Sequence, residues 1–160
     1  MKYFGFLMLF LFDVLSKYLI VQYVPMMTPK WFGYPYGGMG LFEIASVSLS
    51  INQVINSGAV WGVFQGYAGW LFFLRVVIIL AILRSFFFSK LEKEIKLPIC
   101  LILTGAIGNG LDYLLYGHVI DFIHFCFRGW TFPVFNLADS YISIGVFLLF
   151  WMGRSKPCAA

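Results

Sequence analysis

Four long apolar stretches alternate along this chain with connections that are polar, turn-rich or aromatic. The stretches run at approximately 3–23, 70–88, 97–117 and 134–153, and each approaches the roughly 20 residues that a helix needs to cross a bilayer. They predict a mainly α membrane protein, a four-transmembrane-helix bundle in a single integral membrane domain over residues 1–160. The largest connection, 24–69, opens with the turn-forming residues Pro25, Pro29, Gly33, Pro35, Gly37, Gly38 and Gly40. From 46 to 52 the order Ser-Val-Ser-Leu-Ser-Ile-Asn alternates polar and apolar, the period of a strand with one face on an apolar surface. A small β-rich segment lying against the membrane is therefore expected there. The connection 118–133 reads as an aromatic loop along the headgroups, carrying Phe122, Phe125, Phe127, Trp130 and Phe132.

Composition supports a membrane setting: 61% of residues are hydrophobic, 11% are charged and the mean hydropathy is +0.88, which leaves too little polar surface to cover a soluble core. The first stretch begins Met-Lys, but it carries Asp13 and Lys17 and lacks a small-x-small cleavage site, so a retained helix is expected. Lys2, the group Arg84, Lys90, Lys93 and Lys96, and the pair Arg154 and Lys156 all fall on one side of a four-span topology. The positive-inside rule puts that side, with both termini, in the cytoplasm and makes 24–69 and 118–133 extracytoplasmic. The net charge of +4 follows from this bias and does not point to nucleic acid. Cys100, Cys126 and Cys158 have neither disulfide nor metal spacing, and no cofactor is expected.

All four aspartates, Asp13, Asp112, Asp121 and Asp139, lie in or beside apolar stretches. An Asp at the centre of a membrane helix costs roughly 2.5 to 3.5 kcal/mol, so their presence points to a functional site. If the third span ends near Gly117, Asp121 emerges just past it, and Asn136 and Asp139 open the fourth span at the same level. Two carboxylates sharing a site cannot both ionise cheaply, and such a pair suits aspartic proteolysis, with water as nucleophile and no metal. A plain structural reading also exists: Asn136 as N-cap with Asp139 at N3, and Asp121 as a solvated loop carboxylate. Asn109, Asp112 and Gly105 share a face of the third span, where Gly105, Ala106, Gly108 and Gly110 permit close helix approach, so Asn109 and Asp112 read as supporting groups. Asp13 and Lys17, at i and i+4, read as an internal ion pair. Arg75 reads as a side chain snorkelling toward headgroups. His118 and His124 invite a triad with Ser57, but there is no GxSxG, and no HExxH is present. The competing class is a non-enzymatic channel or transporter, which needs polar sites at several depths; here Asp121, Asn136 and Asp139 cluster toward one face.

Taken together these blocks resemble signal peptidase II, the bacterial lipoprotein signal peptidase. They are Asp13-Val-Leu-Ser-Lys17, Asn56-Ser-Gly-Ala-Val-Trp-Gly62, Gly105-Ala-Ile-Gly-Asn109 with Asp112, Gly117-His-Val-Ile-Asp121-Phe122 and Phe135-Asn136-Leu-Ala-Asp139. The resemblance implies an aspartic endopeptidase of the bacterial cytoplasmic membrane that cuts lipid-modified prolipoproteins before the diacylglyceryl-cysteine. It implies Asp121 and Asp139 as catalytic dyad, and Asn56, Asn109, Asp112, Asn136, Asp13 and Lys17 as supporting or substrate-binding groups. It further implies membrane lipids as surroundings, a cyclic peptide such as globomycin as inhibitor, and action as a monomer. The outer segments would form a cradle and lid over the scissile bond. One departure stands out: where that family usually has Arg after the Asp of the third block, this chain has Tyr113, which donates a hydrogen bond but carries no permanent charge. Helix polarity adds an expectation of its own. Asp139 at a helix N-terminus is the resting carboxylate, and Asp121 after a helix C-terminus is the acid, a bias of roughly 0.3 to 1 kcal/mol.

Overall fold

A computed structural model describes residues 4–27, 33–57, 68–88 and 92–154. Lys2, Pro29, Lys90, Lys156, Cys158 and positions 58–62 of the second sequence block lie outside the described residues. The elements in chain order are α1 (Phe4–Tyr23), β1 (Met39–Ile44), β2 (Val47–Asn56), α2 (Ala68–Phe88), α3 (Lys93–Tyr116), β3 (Val119–Phe127), β4 (Trp130–Thr131) and α4 (Leu137–Arg154). Among the described residues, four helices thus accompany one antiparallel sheet of order β1-β2-β3-β4. Among the described residues, α1 and α3 are each long and apolar enough to cross a membrane, and Leu137–Met152 is a shorter apolar helix.

The packing is inverted relative to a soluble protein. On α1 the buried residues are Asp13, Lys17 and Ile20, one face at helical spacing, while Phe4, Leu7, Leu11, Phe12, Leu15 and Leu19 point outward. The largest fully buried side chains include Lys17, His124, Asn52, Asn136, Asp13 and Asp121. Apolar exteriors around a polar interior are what a hydrocarbon surrounding selects, because lipid exerts no penalty on exposed Leu or Phe and a large one on unpaired polar groups.

Helices α3 and α4 approach closely at small residues. A Cβ on Gly105 would run into the carbonyl oxygen of Ala138, and one on Gly145 would meet Ile102 and the Pro98 carbonyl. Gly108 is equally required, since a Cβ there would lie 2.5 Å from Asp13 Oδ2. Gly110, expected in the same role, has open space around it and makes no such approach.

The sheet corrects two expectations. The turn-rich portion of 24–69 contains a strand, β1, whose residues are all exposed and so carry no alternation. The aromatic connection 118–133 is mostly β3 and β4 rather than a loop; β3 is buried on both faces at its start, so its sequence shows no period of two. Gly117 does end α3, in the left-handed conformation (φ 77°), with its N–H on the Tyr113 carbonyl. Ile120 and Phe122 of β3 then pack on Ile20 and Val24, fixing the sheet to the end of α1.

Candidate active site at the junction of sheet and helices

Asp121 enters from β3 and is 2% exposed, not a solvated loop carboxylate. Its Oδ2 accepts from Asn56 Nδ2 at 2.8 Å and its Oδ1 from Asn136 Nδ2 at 2.7 Å. Burial, and after it the nearby charge of Asp139, push its pKa up to about 7, while the two asparagine donors and Lys17 pull the other way.

Asp139 lies in the first turn of α4. Its Oδ1 accepts from Asn109 Nδ2 at 2.8 Å and its Oδ2 from the Asn136 backbone N–H at 3.2 Å. In return the Asp139 N–H donates to Asn136 Oδ1 at 2.9 Å. This reciprocal pair is a capping box, so the helix-cap reading of Asp139 is real, and the carboxylate is held still by it.

Asn136 joins the two carboxylates. Besides Asp121, its fully buried amide reaches Asn109 Oδ1 at 3.1 Å and the Ile120 carbonyl at 3.2 Å. Behind Asn109 stands Lys17, also fully buried, whose Nζ lies 2.9 Å from each of Asn109 Oδ1, Asp13 Oδ2 and Asp112 Oδ2. Three acceptors match the three protons of an ammonium. Asp13 and Asp112 then use their oxygens to hold backbone: Asp13 Oδ1 accepts from the Ala138 N–H at 2.9 Å, and Asp112 Oδ2 from the Ile120 N–H at 3.3 Å. These are the residues immediately before Asp139 and Asp121. A carboxylate on α1 therefore caps the helix that carries Asp139.

All eight residues singled out from the sequence, Asp13, Lys17, Asn56, Asn109, Asp112, Asp121, Asn136 and Asp139, belong to this one hydrogen-bonded network. The ion pair of Asp13 and Lys17 exists, but Lys17 is shared with Asp112 and Asn109, which local spacing on α1 has no means of showing. His124 is engaged elsewhere, with Asn52 and Cys126 in the sheet.

A sequence model described as signal peptidase (SPase) II matches residues 6–153. The chain belongs to the signal peptidase II family. It is accordingly a peptidase and a membrane enzyme, not a channel. The lipoprotein signal peptidase of Chlamydia caviae is 37% identical over 143 residues, 86% of this chain and 82% of that protein. That of Chlamydia pneumoniae is 44% identical over 104 residues, covering 64% of this chain and 62% of the relative. A solved bacterial membrane enzyme structure, obtained by the in meso method at 1.9 Å resolution, superposes with a TM-score of 0.76 at 28% identity, over 95% of this chain and 91% of that one.

The Tyr113 ring stacks on Phe72 of α2 with centroids 4.6 Å apart and planes 16° from parallel. It ties α2 to α3 by an aromatic contact rather than offering a charge to the site.

Proposed function

We propose that this enzyme removes the signal peptide from diacylglyceryl-modified prolipoproteins, cutting before the lipidated cysteine, with Asp121 and Asp139 as a dyad that activates water. The observation that carries the reading is the bridging of two carboxylates by Asn136, half-buried Asp139 at a helix N-terminus with two N–H donors and buried Asp121 on a strand with its pKa pushed up to about 7.

In the resting dyad Asp139 is the carboxylate, supported by the Asn136 N–H, the Asn109 amide and the helix dipole. Asp121 holds the shared proton. Asp139 takes a proton from water as the oxygen attacks the scissile carbonyl, and Asp121 donates a hydrogen bond to the developing oxyanion. Collapse of the tetrahedral intermediate passes a proton from the dyad to the departing cysteine amine. Asn56, Asn109 and Asn136 hold the carboxyl groups in place, while Lys17, Asp13 and Asp112 fix the strand and the helix that carry them.

The same reading sets the enzyme in the bacterial cytoplasmic membrane as a single four-span domain acting as a monomer among membrane lipids. Both termini are cytoplasmic and the dyad lies near the extracytoplasmic face. A cyclic peptide such as globomycin, occupying the substrate cleft, would inhibit it. The substrate assignment is tested by offering the purified protein a prolipoprotein with and without its diacylglyceryl group. Cleavage confined to the lipidated form supports it; equal cleavage of both removes lipid from the recognition.

A further inference from the structure

The register of β2 against β3 changes between the sheet's outer half and the dyad. Ser48, Ser50 and Ile51 face Cys126, His124 and Ile123, whereas Val54, Ile55 and Asn56 face Asp121, Ile120 and Val119. Asn52 and Gln53 thus stand opposite the single residue Phe122, a β-bulge. Side chains alternate along a strand, so an unbulged β2 would put Gln53 and Ile55 on the face of Asp121 and turn Asn56 to the other face. The extra residue is what brings Asn56 to Asp121 Oδ2.

The bulge is clamped on every side. The Asn52 side chain is fully buried, and its Nδ2 donates to the carbonyls of Pro35 and Tyr36 at 2.8 and 3.3 Å. Its Oδ1 accepts from Ser50 Oγ at 2.6 Å and lies 3.2 Å from His124 Nδ1, itself 1% exposed. The Tyr36 ring packs on the His124 imidazole with centroids 4.6 Å apart, and Tyr36 is held in the left-handed region at φ 59°. Gly38 lies so close to the strand that a Cβ there would meet the Ile51 carbonyl and Asn52 Nδ2. Gln53 offers its carbonyl to the Met27 N–H at 2.8 Å, just beyond α1. The hydrogen bonds to Asp121 and Asp139 described above come from other residues, and the proposed mechanism gives none of these a part.

We propose that Asn52 and His124 are positioning residues for proteolysis: by locking the bulge against the 33–38 turn they fix the register that lets Asn56 hold Asp121. This rests on the assignment of Asp121 to the dyad. A group that acts through Asn56 loses its influence once Asn56 is gone, whereas a merely structural group does not.

The test is a double-mutant cycle on cleavage of a diacylglyceryl-modified prolipoprotein, with Asn52→Ala, Asn56→Ala, the pair together, and Asp121→Asn. Asn52→Ala should lower kcat at least about tenfold with KM little changed, and in the Asn56→Ala background it should cost less than about twofold more. His124→Phe, which keeps the aromatic contact with Tyr36 and removes the donor to Asn52, takes the place of Asn52→Ala if that variant does not fold. It should show the same non-additivity, and His124→Gln, which restores a donor, should recover much of the rate. Full activity in Asn52→Ala and His124→Phe, or losses that multiply in full with Asn56→Ala, would overturn the proposal. Retained activity in Asp121→Asn would instead overturn the dyad itself.

Discussion

Lys17 on α1 donates to Asn109 Oδ1 on α3 at 2.9 Å, across 92 positions of sequence. That bond, together with the Asn136 Nδ2 that reaches the same oxygen at 3.1 Å, decides which way the Asn109 amide faces. Inverted, it would press its NH2 against the ammonium and its carbonyl against the Asp139 carboxylate; as found, the carbonyl meets the ammonium and the NH2 meets Asp139. Charge on α1 is thereby converted into a fixed donor at Asp139.

Replacing Lys17 separates its two roles. Lys17→Met leaves Asp13 and Asp112 buried without their cation, and loss of about 3–5 kcal/mol of stability is expected. Adding Asp13→Asn and Asp112→Asn should restore most of the melting temperature in detergent. Cleavage should stay at least about tenfold down, because Asn136 alone then faces Asn109 Oδ1 and the amide is held less firmly. Stability and activity returning together would mean that Lys17 only neutralises charge.

Glycines on α3 give a comparison within one helix. Gly105→Ala forces a methyl against the carbonyl of Ala138, the residue before Asp139, and overpacking there should cost about 1–3 kcal/mol and depress turnover. Gly110→Ala meets open space, and helix propensity alone should leave it neutral or more stable by up to about 1 kcal/mol. Thermal melting of the two purified variants checks both signs.

Acidity at Asp121 makes two pH profiles interdependent. Its folded pKa of about 7 lies above the ordinary value of 3.8, so the proton that the proposed mechanism assigns to Asp121 is present below pH 7 and lost above it. The rate should fall as pH rises through about 7, approaching tenfold per unit. The same raised value contributes stability that is whole below the unfolded pKa and lost as pH climbs to about 7, a change on the order of 4 kcal/mol. Asp121→Asn should flatten the stability profile between pH 4 and 7. A wild-type rate that keeps rising beyond pH 8 would place the required proton elsewhere.

Much of the site could be read from the chain because its signals are local. Gly117 marks the end of α3 and Asn136 the start of α4, and these two stops put Asp121 and Asp139 at one level. The strand at 46–52 announces itself by alternation. What local signals miss is sheet buried on both faces, such as the run from Val119 to Phe122, and sheet exposed on both, such as β1. Neither leaves a period of two. Long-range sharing is equally silent: nothing near Lys17 on α1 points to Asp112 or Asn109, and nothing near Asn52 announces that a bulge will carry Asn56 to Asp121.

The dyad is tested most directly by cleavage of a diacylglyceryl-modified prolipoprotein by the purified protein in detergent, comparing wild type with Asp121→Asn and Asp139→Asn in the presence of a metal chelator. Both substitutions keep size and one of the two hydrogen bonds that each carboxyl accepts, so both variants should still fold, with a lowered melting temperature, while losing at least about a thousandfold in kcat, with wild type indifferent to the chelator. Turnover surviving in either folded variant, or abolished by the chelator in wild type, would contradict a mechanism built on these two carboxyl groups.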